Sequence, residues 1–366
     1  MSHHLPFPSA RMPRPVAVAA LVAGLVVQPG CARAQTPQIT SEGTRALLAM
    51  LADDSLMGRA TGSPGALKAA RIIAREMERA GLGAAGDSGY YQHVPVALVT
   101  REIRGRTVTR ATLVPGFEAL DTFPPAARAP AFNVLGVLRG ADPALADEYV
   151  MVGAHYDHLP PRAPVDSTGN PVPGDSIFNG ADDDASGVVA VLEIARVLAG
   201  GPAPRRTIVF AATTGEEVGL LGTRWYIEKP VLPLDQMVAD LEIEMIGRPD
   251  SLAGGPGKAW LTGYERSTMG DMLAAGGIPI VPDPRPEQRF FQRSDNIAYA
   301  RLGIPAHTLS TFNLHGDYHR VTDEVDRTDP EHMAAVIRAA VQAVRILADG
   351  PKPEWKEGGR PSTPGR

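Results

Sequence analysis

Histidines and carboxylates recur in this chain at a few short intervals. Ala154-His155-Tyr156-Asp157-His158 comes first, then Asn179-Gly180-Ala181-Asp182-Asp183-Asp184-Ala185-Ser186-Gly187, then Gly215-Glu216-Glu217. Asp240, Glu242 and Glu244 follow ahead of Met245-Ile246-Gly247, and His315-Gly316-Asp317-Tyr318-His319 closes the series. Carboxylates alone would suit calcium or a solvated rim, whereas imidazole mixed with carboxylate and no cysteine favours zinc or a similar borderline ion. An Asp two residues after a His can orient a metal-bound imidazole. Each piece also has a plainer reading. His155 alone would be a satisfied buried histidine, and His319 a surface one. Glu216 and Glu217 suit a helix first turn, and Asp240, Glu242 and Glu244 one wet face of an edge strand. One helix cap explains one of the three adjacent aspartates and leaves two. Five such accidents at five corresponding places make a poor account.

The elements that must hold these residues alternate in type. EYVMVGAHY reads as a buried strand, SGVVAVLEIARVLAGG as a helix, RRTIVFAATTG as a strand followed by a helix, and QMVADLEIEMIG as a strand. STMGDMLAAGG reads as a helix, GIPAHTLST as a strand and PEHMAAVIRAAVQAVRILADG as a closing helix. This alternation predicts an α/β fold, a mostly parallel or mixed central sheet with helices on both faces. Ligands bind such sheets at the carboxyl ends of the strands, which is where the histidines and carboxylates fall. Upstream, SEGTRALLAMLADDSL has helical spacing, MGRATGSPG is a loop, and ALKAARIIAREMERAGL is an amphipathic helix stopped by Gly81 and Gly83. Residues 92–138 read as a small β elaboration, and Pro351 to Arg366 as a disordered tail rich in Pro, Gly and charge.

A net charge of −5 excludes the basic footprint of a nucleic-acid binder. Arg11 and Arg14, the apolar run VAVAALVAGLVV and the triplet Ala32-Arg33-Ala34 read as a secretory signal peptide over residues 1–34. That predicts export to the periplasm or the extracellular space, with no membrane span after cleavage. An uncleaved anchor is the competing reading, although the run is short for a bilayer. The lone Cys31 falls inside this segment, and lipid attachment there is a minor alternative because Gln28-Pro29-Gly30 lacks the usual apolar residue.

The ordered set GAHYDH, NGADDDASG, GEEVGLLGT, EMIG and DYHRVTDE resembles the M28 family of zinc peptidases, co-catalytic di-zinc aminopeptidases and their relatives. The motifs lie in residues 153–324, and the resemblance extends over about residues 40–348. It implies a three-layer α/β/α domain over residues 35–350 with two zinc ions. His155 and Glu244 match ligands of one zinc, Glu217 and His319 ligands of the other, and Asp183 the carboxylate that bridges them. Glu216 matches the general base, and Asp157 the carboxylate that orients His155. The family usually has Asp where this chain has Glu244, and Glu242 on the same strand face competes for the role. The stretch before FNVLGVL is too short for the protease-associated domain that some relatives carry.

The resemblance implies hydrolysis of a peptide with a free N-terminus, with Phe290 and Phe291 as an apolar wall of the substrate pocket and Arg293 facing a carboxylate. A carboxypeptidase, a one-zinc glutaminyl cyclase and a non-catalytic binding domain are the alternatives on the same scaffold.

Overall fold

In a computed structural model of the chain, residues 37–362 are described apart from 104, 166–169 and 171, together with residues 1 and 3. The expected signal segment, with Cys31, thus lies almost wholly outside the described residues. Among those described, the strands are β1 (Gly83–Ala84), β2 (Tyr91–His93), β3 (Val96–Ile103), β4 (Arg106–Leu113), β5 (Arg128–Ala129) and β6 (Phe132–Leu138). Then come β7 (Tyr149–His155), β8 (Thr207–Thr213), β9 (Met237–Glu244), β10 (Ala259–Leu261), β11 (Ile280–Pro282) and β12 (Ala306–Ser310). The helices are α1 (Ser41–Leu51), α2 (Pro64–Arg79), α3 (Phe117–Leu120), α4 (Ser186–Ala199), α5 (Leu221–Glu228), α6 (Met269–Ala275), α7 (Asn296–Leu302) and α8 (Pro330–Asp349).

The large sheet runs β1-β6-β8-β7-β9-β12-β10-β11, with β2 also on β6. Its centre is parallel: β7 pairs in parallel with β8 and β9, and β9 with β12. β6 and β10 pair antiparallel with β8 and β12, so the sheet is mixed. The strand alternation sorts the core into two layers. Val150, Val152 and Ala154 of β7 pack with α1, α2, α4 and α8, while Tyr149 and Met151 pack with Tyr226 of α5 and with Ile297, Tyr299 and Ala300 of α7. The helices start where the sequence supplies caps. Ser63 Oγ accepts from the Ala66 N–H ahead of α2, and the Asp329 carboxylate accepts from the Glu331 and His332 N–H groups ahead of α8.

Two expectations change here. The β elaboration is narrower than 92–138, because β3, β4 and β5 form a separate small sheet while β6 joins the main one. The C-terminal segment is not a loose tail as far as residue 362. Trp355 Nε1 donates to Gly303 O at 2.8 Å, and its ring meets Phe291 and His307. Backbone bonds from Thr268 N to Glu354 O (2.8 Å) and from Lys356 N to Arg266 O (2.9 Å) fix the same stretch. One aromatic anchor outweighs a polar composition, because burying its ring offsets the ordering of its neighbours.

Candidate metal centre and active site

β7 delivers His155 at its carboxyl end, and the chain continues through Asp157 and His158, both buried. His155 Nδ1 lies 3.0 Å from the Asp157 main-chain carbonyl, while the Asp157 carboxylate stands 3.8 Å away. The expected orienting contact is therefore made by the backbone of Asp157 and not by its side chain. That carboxylate accepts instead from Thr61 Oγ1 (2.9 Å) and from the Glu216 N–H (3.1 Å), tying the loop after β8 to the end of β7. His155 Nε2 is left pointing into the site.

Two sets of ligand atoms converge, each within 4.8 Å of one another: His155, Asp183 and Glu244 in one, and His158, Asp183, Glu217 and His319 in the other. Asp183 belongs to both. Its Oδ1 is 3.3 Å from His155 Nε2, and its Oδ2 is 3.0 Å from His319 Nε2. Glu217 Oε2 is 3.2 Å from His319 Nε2, and Glu217 Oε1 is 2.8 Å from His158 Nδ1. His155 Nε2 and Asp183 Oδ2 are buried, and their contacts with Asp183 Oδ1 and His319 Nε2 lack hydrogen-bond geometry. Buried polar atoms rarely go without a partner, and nitrogen and carboxylate oxygen so placed form a zinc-type donor set. The residues therefore fit a metal centre.

The charges point the same way. Burial opposes ionisation of Asp183, yet the surrounding imidazoles hold it well below the usual carboxylate range. Burial likewise opposes charge on His155 and His319, yet their carboxylate neighbours push His155 well above its ordinary value and His319 to about 10. The cluster draws in positive charge, which a bound cation supplies directly.

The three adjacent aspartates do three different things. Asp182 Oδ1 accepts from the Gly247 N–H at 2.6 Å, and its Oδ2 meets His315 Nε2 at 2.9 Å, so it staples the β9 exit to the histidine loop. Asp183 faces the metal sets. Asp184 Oδ1 accepts from Gly187 N and Met245 N, both at 3.0 Å, capping α4 and holding the β9 end. Ser186 also binds outside its own helix, accepting from the Ile246 N–H at 3.0 Å. The Asp183–Asp184 peptide is cis. Asp323 closes the arrangement by accepting from Asp182 N and Asp183 N at 3.1 Å. Gly180 must be glycine here: its φ is +53°, and a Cβ would stand 2.1 Å from Asp183 O.

β9 is central, not an edge strand, so the face is dry at Asp240 and Glu242, while Glu244 at its end is half-buried and faces the site. Asp240 and Glu242 are 0% and 2% exposed, and burial raises both well above the ordinary carboxylate range. Glu242 packs against Gly153, where a Cβ would lie 2.4 Å from its carboxylate. Of the three, Glu244 alone reaches a ligand set. Burial raises it to about 7, and His155 works against that rise.

Beside the centre is a cavity of about 70 Å³ walled by Trp260, Phe290, Phe312, Tyr318 and Arg293. Arg293 sits over the Phe290 ring at 5.0 Å. Phe291 does not line it: the ring packs at 5.6 Å from His307 and under Arg266. A larger groove of about 810 Å³, walled in part by Trp225 and Phe117, includes none of these ligands.

His158, Thr61, Asp323 and Trp260 escaped the sequence reading as site residues. The first and third lie inside the motifs GAHYDH and DYHRVTDE, but nothing in a single sequence separates a second histidine or aspartate in a motif from its neighbours.

With fold and geometry in place, comparison with known proteins narrows the class. A mixed sheet between two helical layers, with a His and carboxylate centre at its strand ends, defines a metallopeptidase-like domain. Residues 133–344 match the family described as Peptidase family M28. A protein named "Probable zinc metalloprotease" from Pyrenophora teres f. teres is 35% identical over 115 residues, 31% of this chain and 22% of that protein. "Aminopeptidase NAALADL1" of Mus musculus is 32% identical over 150 residues, 36% of this chain and 17% of that one. The chain thus spans about a fifth of the length of these curated relatives. The solved structure of BSAP, a zinc aminopeptidase from Bacillus subtilis, superposes with a TM-score of 0.60 at 15% identity, covering 87% of this chain and 97% of that one. The chain belongs to peptidase family M28.

Proposed function

We propose that the chain is a zinc-dependent aminopeptidase holding two zinc ions, one at His155, Asp183 and Glu244 and one at Asp183, Glu217 and His319. The observation that carries this reading is Asp183, whose two oxygens face two different ligand sets. When bound, zinc would supply Lewis acidity and lower the pKa of a bound water toward neutrality. Glu216 belongs to neither set and stands at their margin, its Oε2 4.0 Å from His155 Nε2. Burial raises its pKa well above the usual value, helped by Glu244, while His155 opposes the rise. A carboxylate of raised pKa takes a proton from water more readily and can then hand it to the leaving amine. Asp157 holds the Glu216 backbone, so the base is carried on a fixed loop. Phe290 and Arg293 border the place where a substrate side chain would enter, Phe290 as an apolar wall and Arg293 as a partner for a carboxylate. Export rests on the sequence of residues 1–34.

A panel of aminoacyl and N-blocked peptides, assayed with and without a chelator, tests the reading. Chelator-sensitive release of free N-terminal residues supports it. Cleavage only of blocked peptides from the C-terminal end marks a carboxypeptidase, and no cleavage sinks both. One zinc per chain with turnover of N-terminal glutamine marks a cyclase. Mass spectrometry of the exported protein should find Gln35 as its first residue.

A further inference from the structure

The loop MGRATGSPG lies outside the family match at 133–344, and beyond the Thr61 bond to Asp157 the chemistry above assigns it no task. Its Arg59 is 1% exposed. The guanidinium sends four hydrogen bonds to main-chain carbonyls: Nε to Tyr156 O (2.8 Å), Nη1 to Leu51 O (2.6 Å) and Asn179 O (2.5 Å), and Nη2 to Gly180 O (3.0 Å). Buried arginines ordinarily meet a carboxylate, because desolvation of the charge is costly. Here the carboxylates of Asp157, Asp183 and Asp323 act on it only through space, and burial brings its pKa down to about 10, still charged at neutral pH. Two of the three segments it joins carry the centre. Tyr156 stands between His155 and Asp157, and Gly180 comes three residues before Asp183.

The loop is pressed against these segments. Arg59 has a φ of +58°, a left-handed conformation that a non-glycine residue adopts only when its surroundings hold it there. Gly58 before it passes so close that a Cβ would stand 2.2 Å from Leu159 O. Thr61 supplies the second hold through its bond to the Asp157 carboxylate, and Asp54 accepts from Asn179 Nδ2 at 2.7 Å.

We propose that Arg59 is a positioning residue of the metal centre, its planar fork fixing the distance between the loop that carries His155 and Asp157 and the loop that carries Asp183. The inference rests on the zinc reading above. A fork spans three segments at once, whereas a lysine ammonium offers its donors from a single nitrogen and cannot.

The test compares the wild-type chain with Arg59→Lys, Arg59→Met and Thr61→Val. Near-ultraviolet circular dichroism first establishes that each apo protein is folded. Zinc affinity then comes from competition with a chromophoric chelator, and kcat and KM are taken at saturating zinc. Partners that hold metal ligands in place are worth about 10- to 100-fold in metal affinity. Arg59→Lys should therefore bind zinc at least about tenfold more weakly, with kcat lowered and KM little changed, since Arg59 does not line the cleft. Thr61→Val should move zinc affinity and kcat in the same direction by less. A folded Arg59→Lys with wild-type zinc affinity and kcat overturns the proposal. If both Arg59 variants fail to fold, Thr61→Val decides, and unchanged affinity and kcat there overturn it. Failure of the wild-type chain to bind zinc removes the zinc reading itself and is seen before any variant is compared.

Discussion

Replacing Glu216 by Gln isolates the proposed base from everything around it. The amide keeps the shape of the carboxylate, and the contact that fixes this loop runs from the Glu216 backbone to Asp157, so it survives the change. The side chain is only 12% exposed and belongs to neither ligand set. Loss of a general base costs about 10²- to 10⁴-fold in rate, or roughly 3–5 kcal/mol of barrier. Stability should go the other way. Burial raises the folded-state pKa of Glu216, so its contribution is full below the unfolded value and is lost as pH rises toward the folded one. A neutral amide has no such dependence, and the apo variant should melt no lower than the wild type near pH 7. Turnover on an aminoacyl substrate, metal content by plasma mass spectrometry and a melting curve on one preparation check all three statements. Near-normal turnover with full metal content would refute the role of Glu216, and loss of metal would make it a ligand.

Four further outcomes follow from the geometry. His307 is neutral, with Nδ1–H donating to Thr262 O and Nε2 accepting from Ser267 Oγ, and burial depresses its pKa to about 4. The unfolded chain takes up that proton first, so this contribution is full above about pH 6.5 and is lost as pH falls toward 4, a change of about 3 kcal/mol. In urea titrations at pH 7 and pH 4.5, His307→Gln should lose less stability on acidification than the wild type, and equal losses would count against it. Trp355→Ala should lower stability by about 2 kcal/mol in urea while leaving kcat unchanged, and no shift in the midpoint would contradict the packed C-terminal segment. Phe290→Ala should raise KM for apolar N-terminal residues. Phe291→Ala should lower only the melting temperature, and a KM change there would return Phe291 to the cleft.

Much of this was legible from pattern. The unbroken apolar runs at β7 and β8, the alternation at β9 and the long apolar helices α4 and α8 carry enough signal to predict both layers, because strands buried on both faces read as near-continuous apolar runs. The three-residue strands β10 and β11 and the short α7 carry too few residues to show a period. Asp240 and Glu242 left two readings open. Alternating acids suggest a wet face, and only the position of β9 between β7 and β12 shows that the face is dry. The ligand candidates could be found because chemistry restricts their types. The residues holding them could not, since Asp182 to Gly247 N and Arg59 to Gly180 O are long-range bonds with ordinary residue types at both ends.

The central claim is that two zinc ions share Asp183. Anomalous diffraction at the zinc edge from crystals of the zinc-loaded protein tests it most directly. The account predicts two peaks per chain, one against His155 and Glu244 and the other against Glu217 and His319, with Asp183 reaching both. A single peak, or a second that Asp183 does not touch, would contradict it.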